Sequence, residues 1–375
     1  MTVDRIYDQT EIKFPKLGWT FHIDRTAFTI FGMDIQWYGI IITAGLVLAM
    51  IYCFSKMKRF GIDTDRALDV AIVGIIGGLV GARLYYVAFR WDEYKGSFKE
   101  IINTRGGGLA IYGGIIGAIG LGLIACRLRK VKVLPMLDIT VLGFLIGQGI
   151  GRWGNFVNQE AFGTNTNSIF GMTGGTIQNR IINETNFLDG EMQAHGLDVA
   201  VDKMVHPCFL YESFWCLLGF VLISWYSKHR KYDGQIFLMY LTWYGAERFV
   251  VEGFRTDSLY IGNSNLRVSQ VLSAIVCITA LILQVIFFLR RRRDPEAFVL
   301  YANTEESRRL IEESRRKRMG MPPEDELDDD DDDIGLDNFA GGDDDGYNNI
   351  IDDDNDQDDE EVLDDEDDDN DKEDE

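Results

Sequence analysis

Leu134-Pro135-Met136-Leu137-Asp138-Ile139-Thr140-Val141-Leu142-Gly143-Phe144-Leu145-Ile146-Gly147-Gln148-Gly149-Ile150 runs without a break into Gly151-Arg152-Trp153-Gly154-Asn155-Phe156-Val157-Asn158-Gln159-Glu160-Ala161-Phe162-Gly163. The first half reads as an apolar membrane span. The second half sets a strong cation, amides and a carboxylate among glycines at its end. Unpaired polar groups are costly to hold near lipid, so such a concentration points to a site. A lone arginine there would be read as snorkelling to the headgroups, but Arg152 has company.

Working outward, six further apolar runs accompany Leu134 to Ile150: Ile35 to Phe54, Leu68 to Phe89, Leu109 to Cys126, Cys208 to Ser227, Gln235 to Glu252 and Val268 to Leu289. At about 1.5 Å per residue, some twenty residues cover the roughly 30 Å hydrocarbon core. The expected fold is therefore an all-α polytopic membrane protein of about seven transmembrane helices. Basic residues collect after the first, third, fifth and seventh runs, at Lys56, Lys58 and Arg59, at Arg127, Arg129, Lys130 and Lys132, at Lys228, Arg230 and Lys231, and at Arg290 to Arg293. Lysine and arginine favour the cytoplasmic side. All four clusters then place the amino terminus outside and the carboxyl terminus inside.

The net charge of −23 conceals two unlike parts. Residues 1–320 hold 36 basic and 29 acidic side chains, whereas residues 321–375 hold one and 31, so the low isoelectric point belongs to the tail. That tail lacks the apolar content for a core and is expected to be disordered. Residues 1–293 read as the membrane-embedded domain, with 164–205 as an outer loop or lid, and residues 294–320 as a basic cytoplasmic surface segment suited to anionic lipid. The first thirty residues carry charges without a compact apolar core, and no cleavable signal peptide is expected. Cys53, Cys126, Cys208, Cys216 and Cys277 lie in or beside apolar runs with no CxxC pair. That pattern indicates neither a disulfide frame nor a zinc site, and no metal or cofactor is expected. No nucleic-acid partner is expected either.

Small residues four apart, Gly74 and Gly78, Gly77 and Gly81, Gly113 and Gly117, and Gly143, Gly147 and Gly151, fall on single helix faces and predict close helix packing. With the orientation fixed, the unusual polar residues sort to one depth. Tyr38, Arg83, Tyr85 and Tyr112 lie near the outer ends of the first three spans, and Arg152, Asn155, Asn158 and Glu160 follow the fourth. His206, Tyr211 and Glu212 begin the fifth span, and Tyr244, Arg248, Glu252 and Arg255 share one face of the sixth. Individually, Arg248 with Glu252 reads as an internal ion pair and Tyr38 beside Trp37 as an interfacial aromatic. Several arginines directed to one membrane cleft invite an anionic ligand, and guanidinium matches phosphate oxygens bidentately.

The stretch Gly151 to Gly163 closely resembles the signature of the prolipoprotein diacylglyceryl transferase family. Trp37-Tyr38-Gly39, Gly81-Ala82-Arg83-Leu84-Tyr85-Tyr86, His206-Pro207 with Tyr211-Glu212, and Tyr244-Gly245-Ala246-Glu247-Arg248 with Glu252-Gly253-Phe254-Arg255 agree with it, in order, over about residues 30–290. The resemblance implies a bacterial inner-membrane enzyme whose site faces the outer leaflet. Its partners would be phosphatidylglycerol, among the membrane lipids, and the signal peptides of prolipoproteins, whose lipobox cysteine becomes a thioether as glycerol 1-phosphate leaves. Carried over, Arg152 and Arg248 are the catalytic arginines, joined by Tyr38 and Tyr112. Substrate binding falls to Arg152, Asn155, Asn158, Glu160, Gly163, Glu252, Arg83, Arg255, Tyr211 and Glu212. Where many relatives read His-Gly-Gly, this chain has Tyr112-Gly113-Gly114. Tyrosine is a poor general base near neutral pH, so the base stays unassigned. A phospholipid or solute transporter with an anion-binding cleft open to the outer leaflet is the alternative, although the internal repeat expected of one is not found in the sequence.

Overall fold

The computed structural model describes residues 7–104, 107–186, 197, 199–261 and 264–321. Four strands come first: β1 (Glu11–Phe14), β2 (Trp19–His22), β3 (Thr26–Ile30) and β4 (Met33–Gln36). Helices α1 (Trp37–Lys56) and α2 (Thr64–Phe89) follow, then the short α3 (Trp91–Tyr94) and α4 (Phe98–Ile102), then α5 (Ile111–Leu128) and α6 (Val133–Asn158). Strand β5 (Thr173–Gly174) and α7 (Gly175–Asn186) precede α8 (Cys208–Tyr226), α9 (Gln235–Glu252), α10 (Val268–Arg293) and α11 (Glu305–Met319).

Each expected span is occupied by a long helix. Among the described residues six helices, Trp37–Phe60, Thr64–Phe89, Ile111–Leu128, Val133–Asn158, Cys208–His229 and Val268–Arg293, are long and apolar enough to cross a membrane. Helix α9 is as long as α5 but carries Glu247, Arg248 and Glu252 in its last two turns. Helix ends depart from the expected ones by up to eight residues, among them those of α2 and α6. Helix α2 starts at Thr64 because Asp63 accepts the Arg66 amide at 3.0 Å, and α6 continues past Ile150 to Asn158. Most of the polar stretch after Ile150 is thus helical, which fixes Arg152 and Asn155 on adjoining turns.

The lead-in folds into two hairpins that the sequence reading left without an element. Strand β1 pairs antiparallel with β2 and β5, and β3 pairs with β4. Glu11-Ile12-Lys13-Phe14 alternates with period two: Ile12 and Phe14 point inward. They join Phe156, Val157, Phe162, Ile177, Val205 and Phe209 in an apolar core at the end of α6.

Helices α2 and α5 meet through glycine. A Cβ on Gly77 would stand 2.7 Å from the Gly117 carbonyl, and one on Gly81 would stand 2.9 Å from Gly117 Cα. The fourth span is different: a Cβ on Gly143 would stand 2.7 Å from Cys53 Sγ, but one on Gly147 would meet nothing within 4 Å. Only part of that glycine series is packing. Segment 294–320 is helical over α11, where Ser307, Leu310 and Ser314 turn inward. Ser307 Oγ donates to Gly61 O at 2.7 Å, and Glu313 and Glu306 pair with Arg66 at 3.1 Å and Lys132 at 3.0 Å. The expected acidic tail lies outside the described residues, as do 187–196 of the expected lid.

Helix α9 has no local side-chain cap, since Gly234 precedes it. Asp138, buried in α6, supplies one from a neighbouring helix: its carboxylate accepts the Gly234 and Phe237 amides, both at 2.8 Å. Orphan helix amides need such partners. Asp138→Ala should therefore cost about 1–3 kcal/mol, read as a lower midpoint in detergent unfolding. An unchanged midpoint would contradict this cross-helix cap.

Candidate functional site

Helix α6 ends where Gln159 turns into the left-handed region at φ 53, followed by Ala161 at φ 55. Neither is glycine, and such backbone persists only where its surroundings hold it. Here they do. The buried Gln159 side chain donates to Gln9 O at 2.7 Å and accepts the Thr176 amide at 3.1 Å. The Gly163 amide donates to His206 O at 2.9 Å, the Thr164 amide to Phe254 O at 2.8 Å, and Thr256 Oγ1 to Phe162 O at 3.1 Å. A Cβ on Gly163 would lie 2.8 Å from His206 Cβ and 2.9 Å from Phe254 O. The turn after α6, the lead into α8 and the exit of α9 are therefore stitched together around a residue that must lack a side chain.

This junction brings three arginines to one carboxylate. Glu212, on α8 and 1% exposed, takes Arg152 Nε on one oxygen. Its other oxygen takes Arg248 Nη1 at 3.2 Å and Arg255 Nη1 at 3.5 Å. Arg248 Nη2 also pairs with Glu252 at 2.5 Å, one helical turn on. Arg255 forms a fork on Asp257, Nε to Oδ1 at 2.9 Å and Nη2 to Oδ2 at 2.7 Å. Arg248 and Arg255 have thus committed both ends of their guanidinium planes. Arg152 has not: among the described residues Glu212 is its one carboxylate partner, its two Nη groups make no hydrogen bond, and its side chain is 19% exposed. Two parallel N–H donors facing an opening suit a planar or tetrahedral oxyanion.

Other expected residues take places around this group. Glu160 accepts Asn155 Nδ2 at 2.9 Å and Asn158 Nδ2 at 3.4 Å. The Tyr38 ring packs where a Cβ on Gly154 would stand 2.7 Å away, within electrostatic reach of Glu160 and Arg152. Tyr211 OH and His206 Nδ1 are 3.2 Å apart, and burial lowers the His206 pKa below its ordinary value.

Two expected residues do not join. Arg83 spends four N–H donors on backbone, Nε on Ile101 O at 2.8 Å, Nη1 on Gly108 O at 2.8 Å and Gly107 O at 3.2 Å, and Nη2 on Glu100 O at 2.6 Å. Its work there is to fold the α2–α5 connection, with Tyr94 beneath it at 4.9 Å. Tyr112 is 50% exposed, and among the described residues no hydrogen bond or ion pair links it to the arginine group.

Asp257, Arg25 and Glu247 were missed. Arg25 Nη2 donates to Asn158 O at 3.1 Å and Thr176 Oγ1 at 3.1 Å, tying the hairpins to the junction. Only the Arg255-Thr256-Asp257 spacing carried a signal, that of a short acidic partner two residues from an arginine. Among the described residues no group of His, Cys, Asp or Glu is arranged to hold a metal ion.

With one partner removed, a buried multi-arginine pair leaves uncompensated charge, which is strongly destabilising. Glu212→Gln should lower stability by about 3–5 kcal/mol, measurable by chemical unfolding in detergent, whereas a surface ion pair would cost about 0–1 kcal/mol. A loss in that smaller range would contradict the organising role of Glu212.

The model of the prolipoprotein diacylglyceryl transferase family matches residues 25–316. A phosphatidylglycerol--prolipoprotein diacylglyceryl transferase of Finegoldia magna is 45% identical over 264 residues, 70% of this chain and 95% of the relative. Proteins of the same name from Clostridioides difficile and Enterococcus faecalis are 41% and 39% identical, each over 70% of this chain and over 95% and 90% of their own lengths.

Proposed function

The chain belongs to the prolipoprotein diacylglyceryl transferase family, and from that premise we propose that Arg152 holds the phosphate of phosphatidylglycerol while its diacylglyceryl group passes to a prolipoprotein cysteine. The Nη groups of Arg152, without a hydrogen bond among the described residues and beside the multiply paired Arg248 and Arg255, are the observation that carries this assignment. Glu212 fixes the Nε edge of Arg152, so the fork is pre-set and loses little freedom on meeting the headgroup.

The substrate thiol, with an ordinary pKa of about 8.5, is a few per cent ionised at neutral pH, and nearby guanidinium groups favour the thiolate. As sulfur attacks the glyceryl carbon, charge builds on the departing phosphate, where fixed donors in a water-poor cleft stabilise it most. Glycerol 1-phosphate then leaves and a thioether remains. Asn155, Asn158, Glu160 and Tyr38 shape the same opening, and Glu252 steadies Arg248. The basic clusters after alternate helices support seven spans with the amino terminus outside, the site open to the outer leaflet of the bacterial cytoplasmic membrane, and the carboxyl terminus inside.

The test is mass spectrometry of a lipobox peptide incubated with the protein and phosphatidylglycerol, which should gain one diacylglyceryl group. Arg152→Lys keeps the charge but loses the fork, and kcat/KM should fall by about 10- to 150-fold, the range of one charge-assisted hydrogen bond. Near-normal turnover by normally inserted Arg152→Lys protein would overturn the assignment. For Tyr112, half exposed and without a hydrogen bond to the arginine group, the expectation is smaller: Tyr112→Phe should leave kcat/KM within about threefold, with the pH profile unchanged. Loss of more than about 10²-fold, restored by Tyr112→His, would instead place a base there.

A further inference from the structure

Glu247 is the one carboxylate, among the described residues, whose two oxygens are both buried and both without a hydrogen-bond partner. It is 5% exposed and directly precedes Arg248 on α9. The charged groups within electrostatic reach are Glu212 of α8, Arg152 of α6, Arg248 of its own helix and Arg255 beyond it. Tyr240, Tyr244 and Cys216 are the remaining titratable neighbours. Helix α10, packed on α9 where Gly245 meets Cys277, brings no charge before Arg290.

Each of the three arginines already has a carboxylate partner. Glu212 holds all of them, Glu252 takes Arg248 and Asp257 takes Arg255, which leaves Glu247 over. A buried polar group without a partner calls for an explanation. A carboxylate oxygen that accepts no hydrogen bond from the protein retains its full capacity to take a proton, and the proposed transfer has one proton to place. Tyr112, half exposed, is unattached to the arginine group.

We propose that Glu247 accepts the proton of the substrate thiol in the diacylglyceryl transfer proposed above, on which this assignment rests. The S–H bond breaks and its proton passes to a Glu247 oxygen. The sulfur electron pair forms the C–S bond to the glyceryl carbon, and the C–O bond to phosphate breaks with its electron pair leaving on the phosphate oxygen. The departing phosphomonoester, whose second ionisation lies near pH 6, carries the proton out, and Glu247 returns to its starting state.

The experiment uses the full chain in phosphatidylglycerol-containing nanodiscs, with lipobox peptides bearing either cysteine or selenocysteine. A selenol is already ionised at neutral pH and needs no acceptor. Glu247→Gln should lower kcat/KM on the cysteine peptide by about 10²-fold or more, leave the KM for phosphatidylglycerol within about threefold, and recover most of its rate on the selenocysteine peptide. Equal losses on both peptides, or turnover within about threefold of the parent at every pH, overturn the proposal. If Glu247→Gln no longer binds phosphatidylglycerol, Glu247→Asp decides: a displaced pH–rate profile on cysteine but not selenocysteine supports the proposal, and an unchanged profile overturns it. Absence of diacylglyceryl peptide with the parent protein is a separate outcome, which overturns the transferase reading and this proposal with it.

Discussion

Three guanidinium groups converge on the carboxylate of Glu212, and the geometry of the site follows from that convergence. Cations brought together away from water repel one another and lose hydration, and a buried carboxylate offsets this only with good geometry and several donors. Glu212 meets the condition by dividing its oxygens: one for Arg152, one shared by Arg248 and Arg255. Glu252 and Asp257 then take the remaining faces of the latter two. What is left over is directional. Among the described residues the outer face of Arg152 makes no hydrogen bond, and Glu247 is a carboxylate that accepts none.

Such a group needs a scaffold that fixes three separate pieces of chain. Arg152 stands on α6, Glu212 on α8, and Arg248 and Arg255 on and just past α9. The left-handed residues Gln159 and Ala161, the side-chain-free Gly163 and the hydrogen bonds to His206 and Phe254 hold these pieces at one end. The Asp138 cap secures α9 to α6 at the other. The terminal hairpins add Gln9 and Arg25 from outside the helices. Precision at the three arginines is thus carried by contacts outside their own group, nearly all of which engage backbone amides and carbonyls.

Much of this was legible in the sequence, because long apolar runs and charges placed against their cost are strong local signals. The seven long helices, the α2–α5 glycine contact and the gathering of Arg152, Glu212, Arg248, Glu252 and Arg255 all followed from such signals. The hairpins were less visible: β1 is four residues long, its alternation too brief to stand out beside twenty-residue spans. Arg83 misled because an arginine at a helix end looks alike whether its donors face a ligand or the carbonyls of a connecting loop. Gly147 misled for a similar reason, since spacing shows which residues share a face but not whether another helix lies against it. Asp257 and Glu247 could be placed only once α8 and α9 were seen side by side.

The central claim is that Arg152 alone presents free guanidinium donors to a lipid phosphate, while Arg248 and Arg255 are internally matched. Guanidinium NMR of the protein with 15N-labelled arginine, in nanodiscs of neutral detergent-like lipid titrated with dioctanoylphosphatidylglycerol, tests it directly. The account predicts that the Arg152 Nη resonances, assigned by Arg152→Lys, shift saturably while those of Arg248 and Arg255 stay within their starting envelope. A saturable shift at Arg248 or Arg255 with Arg152 unmoved would contradict it.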